Sequence, residues 1–227
     1  VIITEIECAD GKYRVTDFAP RFRLYERFFR PLMLVRKIEH LKGSPLVTIR
    51  CKPTGSYGTR QLQSIIGSNH IEFAGLEQPL RITTNGALSY ILNGQSQVLN
   101  ETKYLVLTYG LPLEAPLETT AEDFLTRTVA HWRGWIKTTG ISSIYQQQVI
   151  RSSLALKIHQ YEDTGAIIAS STTGLPETPM EGRNWDYRYC WLRDAYYILS
   201  AFNNIGHFEE VEDYAHFISN LVVKSND

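Results

Sequence analysis

The sequence predicts a β + α chain: an N-terminal β-sandwich, a linker helix, and the first helices of a helical barrel left incomplete. Three observations carry this. Residues 1–109 are a series of short apolar segments separated by turn residues, with no helical periodicity between them. The composition changes near Pro116, after which apolar residues recur at helical spacing. The helical part then contrasts one segment that is apolar almost all round with another that is apolar on one side. The expected division is 1–117 for the β domain, 118–140 for the linker and 141–227 for the start of the barrel.

In the first part, residues 1–8 read as a strand, and Asp10-Gly11 is a hairpin signal leading into residues 12–18. There Tyr13, Val15 and Asp17 face one way and Arg14, Thr16 and Phe18 the other. Further strands are expected at 32–41, 46–52, 70–73, 80–84, 88–92 and 104–109. Gly43-Ser44-Pro45, residues 53–58, Asn85-Gly86 and Asn93-Gly94 supply the turns.

Thr119 and Glu122 have capping-box spacing, and Leu125, Val129, Trp132 and Ile136 recur behind them, with Phe124 and Trp135 alongside. Gly140 is the expected stop. A helix at 145–161 places Ile150, Leu154 and Ile158 on one stripe, widened by Val149 and Leu156. Residues 195–205 are apolar on nearly every side. Residues 208–223 turn Val211, Tyr214, Ala215, Ile218, Leu221 and Val222 inward, while Glu209, Glu210, Glu212 and Asp213 suit the dipole of the early turns. A helix apolar all round needs cover all round. An inner helix beside an outer one is how a double-ring barrel is built, although a plain bundle gives the same pattern.

Composition bounds the function. The chain has 227 residues, 43% hydrophobic and 11% aromatic, enough for a sizeable core. A formal net charge of −1 gives no global field toward nucleic acid or anionic membranes. The basic stretch from Arg21 to Arg60 has no recognition motif and reads as solvated faces. No apolar run suggests a membrane span. Cys8, Cys51 and Cys190 are an odd number at wide spacing, which reads as reduced thiols in the cytoplasm. Val1 already reads as part of a strand, so the true N-terminus is expected upstream. His159, His207 and His216 lack ligand spacing, so no metal is expected; there is no phosphate loop and no cofactor motif.

The chemistry concentrates in residues 165–194, a long irregular connection between two helices. Trp185, Tyr187, Tyr189 and Trp191 alternate with Asp186, Arg188 and Cys190, and Arg193-Asp194 follows. Flat aromatic faces pack on the C–H faces of sugar rings, and Arg and Asp bond ring hydroxyls in pairs. Two bland readings stand beside this one. The aromatics could form a buried strand, and Asp194 could cap the next helix with Arg193 paired to a neighbour.

The run from Thr172 to Ala195, above all Arg183-Asn184-Trp185-Asp186-Tyr187-Arg188-Tyr189-Cys190-Trp191-Leu192-Arg193-Asp194-Ala195, resembles the signature region of glycoside hydrolase family 15. That family holds glucoamylases, glucodextranases and microbial trehalases. Arg151-Ser152-Ser153-Leu154-Ala155-Leu156-Lys157, Gly165-Ala166-Ile167-Ile168-Ala169 and Val15-Thr16-Asp17-Phe18-Ala19-Pro20 are similar to other parts of it. The resemblance implies a β-sandwich, a linker helix, an (α/α)6 barrel and inverting, exo-acting hydrolysis of α-glucosidic bonds in an oligosaccharide or trehalose. It also implies that Arg193 and Asp194 bond the terminal glucose, that Trp191 walls the subsite and that Tyr187 lies near the ring oxygen.

Inverting hydrolysis needs two carboxyl groups, an acid and a base. The resemblance puts both beyond Asp227, so no catalytic residue is expected in this chain, and the isolated chain is expected to be inactive. Asp186 and Asp194 are a poor substitute pair, because the resemblance gives Asp194 a binding role and Asp186 adjoins Arg188. A non-catalytic carbohydrate-sensing module with the same barrel is the alternative.

Overall fold

The structure is a computed structural model that describes residues 1–171, 182 and 185–225, with side chains described as far as Val223. It separates into two compact units, Val1–His131 and Trp132–Asp227.

The first unit contains, in chain order, β1 (Ile2–Cys8), β2 (Gly11–Phe18), β3 (Phe22–Leu24), β4 (Arg27–Phe29), β5 (Met33–Gly43), β6 (Leu46–Thr48), β7 (Thr54–Gly55), β8 (Arg60–Gln61), β9 (Gln63–Ile66), β10 (His70–Ala74) and β11 (Leu80–Thr84). The short helix α1 (Leu88–Asn93), β12 (Ser96–Val98), β13 (Lys103–Tyr109) and most of α2 (Leu117–Lys137) complete it. Seven strands form one antiparallel sheet in the order β1-β2-β5-β13-β11-β10-β9. Three two-stranded ribbons pair β6 with β12, β3 with β4 and β7 with β8.

Both faces of the sheet are covered at its inner strands, as period-2 alternation demands, whereas the edge strands β1 and β9 stay largely exposed. Tyr13, Val15, Ile38, Leu105, Ile82, Ile71 and Phe73 pack on one side with Val47 of β6 and Ile91 of α1. Phe18, Val35, Tyr104 and Val106 pack on the other with Ala121, Phe124 and Leu125 of α2. One cover is thus a ribbon and a helical turn, the other a helix.

The expected strand at 88–92 is instead α1. Leu88, Ile91 and Leu92 stand at i, i+3 and i+4, and all three join the core cluster. Gly94 closes the turn in the left-handed conformation with φ 63°.

The expected capping box does not form. α2 already begins at Leu117, so Thr119 lies inside it and its hydroxyl donates to the Pro116 carbonyl. Glu122 has a stronger claim on it: the Tyr104 hydroxyl donates at 2.7 Å, and Lys37 lies 2.6 Å away. That pair ties the helix to the sheet. In the locally basic stretch, Arg36 forms a two-pronged pair with Asp17 at 2.7 and 2.8 Å, and Lys37 also meets Glu39 at 3.0 Å.

The second unit holds the end of α2, α3 (Gln146–Lys157), α4 (Leu192–Asn204) and α5 (Phe208–Ser225). Ile167, Ala195, Ile198, Phe202 and Tyr214 form its core, with Trp135, Leu156, Val211, Phe217 and Ile218 around them. α3 is rotated from the expected stripe. Ser153 and Lys157 are its buried residues, whereas Ile158 is exposed. Lys157 turns inward to meet Glu210, and the Ser153 hydroxyl is satisfied by the Val149 carbonyl of its own helix.

α4 buries Ala195, Ile198 and Phe202 on one face, while Tyr196 and Tyr197 are each 67% exposed. α5 buries Tyr214 as expected, but Ala215, Leu221 and Val222 are exposed.

Candidate saccharide site

The aromatic segment is neither buried nor a strand. Residues 185–191 follow a turn whose main chain is pinned to residues 169–170. The Ala169 N–H donates to the Tyr189 carbonyl at 3.2 Å, and the Ser170 N–H donates to the Tyr187 carbonyl at 2.8 Å. Trp185 is 51% exposed and Tyr189 69%. Tyr187 and Trp191 are half-buried. The residues 172–181, Arg183 and Asn184, which also carry the family resemblance, lie outside the described residues.

Asp186 organises the turn. Its Oδ1 accepts the Arg188 backbone N–H at 2.9 Å and the guanidinium Nε at 3.0 Å, and its Oδ2 accepts Nη2 at 2.8 Å. Its carbonyl accepts the indole N–H of Trp191 at 2.9 Å. The Trp191 ring then meets Trp185 edge-on at 5.9 Å and lies 6.3 Å from Tyr187. The result is a group of three aromatic rings, Trp185 exposed and the other two half-buried, held by directional bonds. Arg188, through its side-chain and backbone hydrogen bonds, holds the Asp186 carboxyl down at about 2. A group ionised so firmly cannot serve as the general acid, which needs a raised pKa.

Trp191 is the residue from which α4 starts, with extended backbone, and its carbonyl accepts the Ala195 N–H at 2.9 Å. Asp194 therefore sits in the first turn and is not the cap, correcting that reading. The Arg193 Nη2 donates to Asp194 Oδ2 at 3.2 Å, with Arg193 exposed and Asp194 half-buried. The structure thus brings Tyr187 to Trp191 and Arg193 to Asp194. The dipole of α4 favours an anion where Asp194 stands. Among the described residues, no group of His, Cys, Asp or Glu has the arrangement of a metal site.

Sequence reasoning missed a buried polar cluster in the same unit. Glu210 is 4% exposed and accepts the Trp135 indole N–H at 2.7 Å. Lys157, 8% exposed, lies 3.0 Å from the same oxygen. His207 shares a 2.7 Å hydrogen bond with Thr139 and stacks on Trp135. Burial works to raise the Glu210 carboxyl, but the Trp135 bond and the Lys157 ammonium outweigh it and leave it lowered. The signal was available: Glu210 lies one turn before Tyr214, on the inward line of α5.

The comparisons place this helical unit among the glycosyl hydrolases. The family model described as "Glycosyl hydrolases family 15" matches residues 143–227. Over its whole length the chain is 28% identical to the trehalase of Thermoplasma acidophilum and spans 40% of that protein. It is similar to the trehalase of Mycobacterium tuberculosis, 30% identical over 86% of the chain and 31% of the relative. It is also similar to trehalase 1 of Sulfolobus acidocaldarius, 33% identical over 98% of the chain and 37% of the relative. No solved structure matches. These findings assign the chain to glycosyl hydrolase family 15.

Proposed function

We propose that the full-length protein is an inverting, exo-acting hydrolase of α-glucosidic bonds with trehalose as its substrate, and that this chain supplies part of the terminal-glucose subsite. The single observation behind this is the Trp185/Tyr187/Trp191 wall, partly exposed to solvent yet locked by Asp186 and Arg188. Trehalose is chosen over starch-type glucosides because the curated relatives bear the name trehalase.

In this reading the aromatic rings take the C–H faces of one glucose. Asp194 accepts from its hydroxyls, Arg193 donates to them, and Tyr187 lies against the ring oxygen where positive charge develops. Trp191 keeps water off one side of the ring. The acid and base come from parts of the full-length protein other than these 227 residues, because Asp186 is tied up with Arg188. α3, α4 and α5 are the first helices of an (α/α)6 barrel, the seven-stranded sheet and its ribbon form the sandwich, and α2 is the linker. The three cysteines are free, which suits a reducing cytoplasm.

The test is hydrolysis of trehalose and of maltose by the full-length protein, with the released anomers followed by NMR. Inversion delivers one α- and one β-glucose from each trehalose at early times. Two α-glucoses would overturn the inverting mechanism, and no hydrolysis of either sugar would overturn the enzyme reading.

A further inference from the structure

Gln160 follows α3 by three residues and is buried at 3% exposure. Both ends of its amide are used. Lys157 Nζ donates to its Oε1 at 3.1 Å, and its Nε2 donates to the Glu210 carbonyl at 2.9 Å. Its backbone forms an isolated antiparallel bridge with Ile167. The Tyr161 N–H donates to the Ala166 carbonyl at 2.8 Å and the Ile168 N–H to the His159 carbonyl at 3.1 Å, so the bridge is bonded on both sides. Two residues further on, Ala169 and Ser170 hold the carbonyls of Tyr189 and Tyr187. A continuous line of hydrogen bonds therefore runs from the buried Lys157–Glu210 pair to the aromatic wall.

A buried amide costs free energy unless fully paired, and Leu or Met would fill the same space. What the amide adds is direction: two bonds to two helices that fix where the bridge lies. We infer that Gln160 is a positioning residue for the saccharide site: its amide sets residues 166–170, and these set Tyr187, Tyr189 and, through Asp186, the Trp191 ring. This inference rests on the proposed saccharide reading of that wall.

The test uses full-length Gln160→Leu, with Gln160→Met as a second variant. The readouts are kcat and KM for trehalose, the melting temperature, and hydrogen exchange at the Ala169 and Ser170 amides. The expected result is a KM raised by about tenfold or more with kcat within about threefold, as displaced binding groups produce. Exchange at Ala169 and Ser170 should accelerate ahead of the α4 amides. A lower melting temperature with KM and those two amides unchanged would reduce Gln160 to core filling and overturn the inference. So would a loss confined to kcat. If neither variant folds, the wild type decides: Ala169 and Ser170 protected as well as Ile168 supports the line of bonds, and free exchange at both overturns it. Absence of glucoside turnover in the wild type would instead sink the proposed function, while the exchange comparison would still decide the role of Gln160.

Discussion

The imidazole of His207 lies flat on the indole of Trp135, ring centroids 3.9 Å apart and planes 8° from parallel. Thr139 bonds its Nε2, Glu210 stands 3.6 Å from its Nδ1, and Lys157 adds a nearby positive charge. Burial lowers the His207 pKa below its ordinary 6.5; Glu210 pulls it up and Lys157 pushes it further down, and the net is a decrease. The unfolded chain therefore takes up this proton at a higher pH than the folded one. The resulting stability is complete above about 6.5 and is lost progressively as pH falls toward the folded value. Thermal melts of the full-length protein should fall as pH drops below about 6.5, and His207→Gln should flatten that part of the profile.

Glu210 and Lys157 are both buried, so removing one charge strands the other. Glu210→Gln keeps an acceptor for the Trp135 indole yet leaves the buried ammonium without a counter-charge, at a cost of about 3–5 kcal/mol. Adding Lys157→Met should recover part of that loss in chemical denaturation. An unaltered midpoint in the single variant would show that the pair contributes nothing.

Gly165 turns the chain back after α3 with φ +79°, and a Cβ there would sit 2.2 Å from the Asp213 carbonyl oxygen of α5. Gly165→Ala combines left-handed strain with a main-chain clash, for about 2–5 kcal/mol. The measurement is the denaturation midpoint, and a loss under about 0.5 kcal/mol would contradict the packing described.

The Asp186 carboxyl should titrate at about 2 by NMR, and Arg188→Ala should return it toward the ordinary 3.8. The folded value is depressed, so the associated stability is present above about 3.8 and is lost as pH falls through about 2. The same variant should weaken trehalose binding, because Asp186 also holds the Trp191 indole.

The main strands of the large sheet were legible because Tyr13/Val15 against Thr16/Phe18, and Tyr104/Val106 against Leu105, alternate cleanly between two covered faces. The short run Leu88 to Leu92 was not, since five apolar-rich residues fit a strand or a helical turn until Gly94 closes one of them. Glu122 matched a capping box by spacing, but Lys37 and Tyr104 come from strands remote in sequence. In α3 the apolar stripe pointed to Ile158, while the inward face belongs to Lys157, whose partner Glu210 lies on another helix. At the site, the aromatic segment is the irregular loop that the sequence predicts and not a buried strand. Its internal lock was hidden because a bidentate Asp186–Arg188 pair and a Trp191–Asp186 carbonyl bond need a turn that alternation alone does not reveal.

Calorimetric titration of trehalose into the full-length protein, wild type beside Asp194→Ala, addresses the proposed terminal-glucose subsite directly. Loss of a charge-assisted bond should weaken binding by about 1.5–3 kcal/mol, roughly 10- to 150-fold, with the melting temperature little changed. Wild-type protein that takes up no trehalose, or a folded Asp194→Ala variant that binds it equally well, would contradict the assignment.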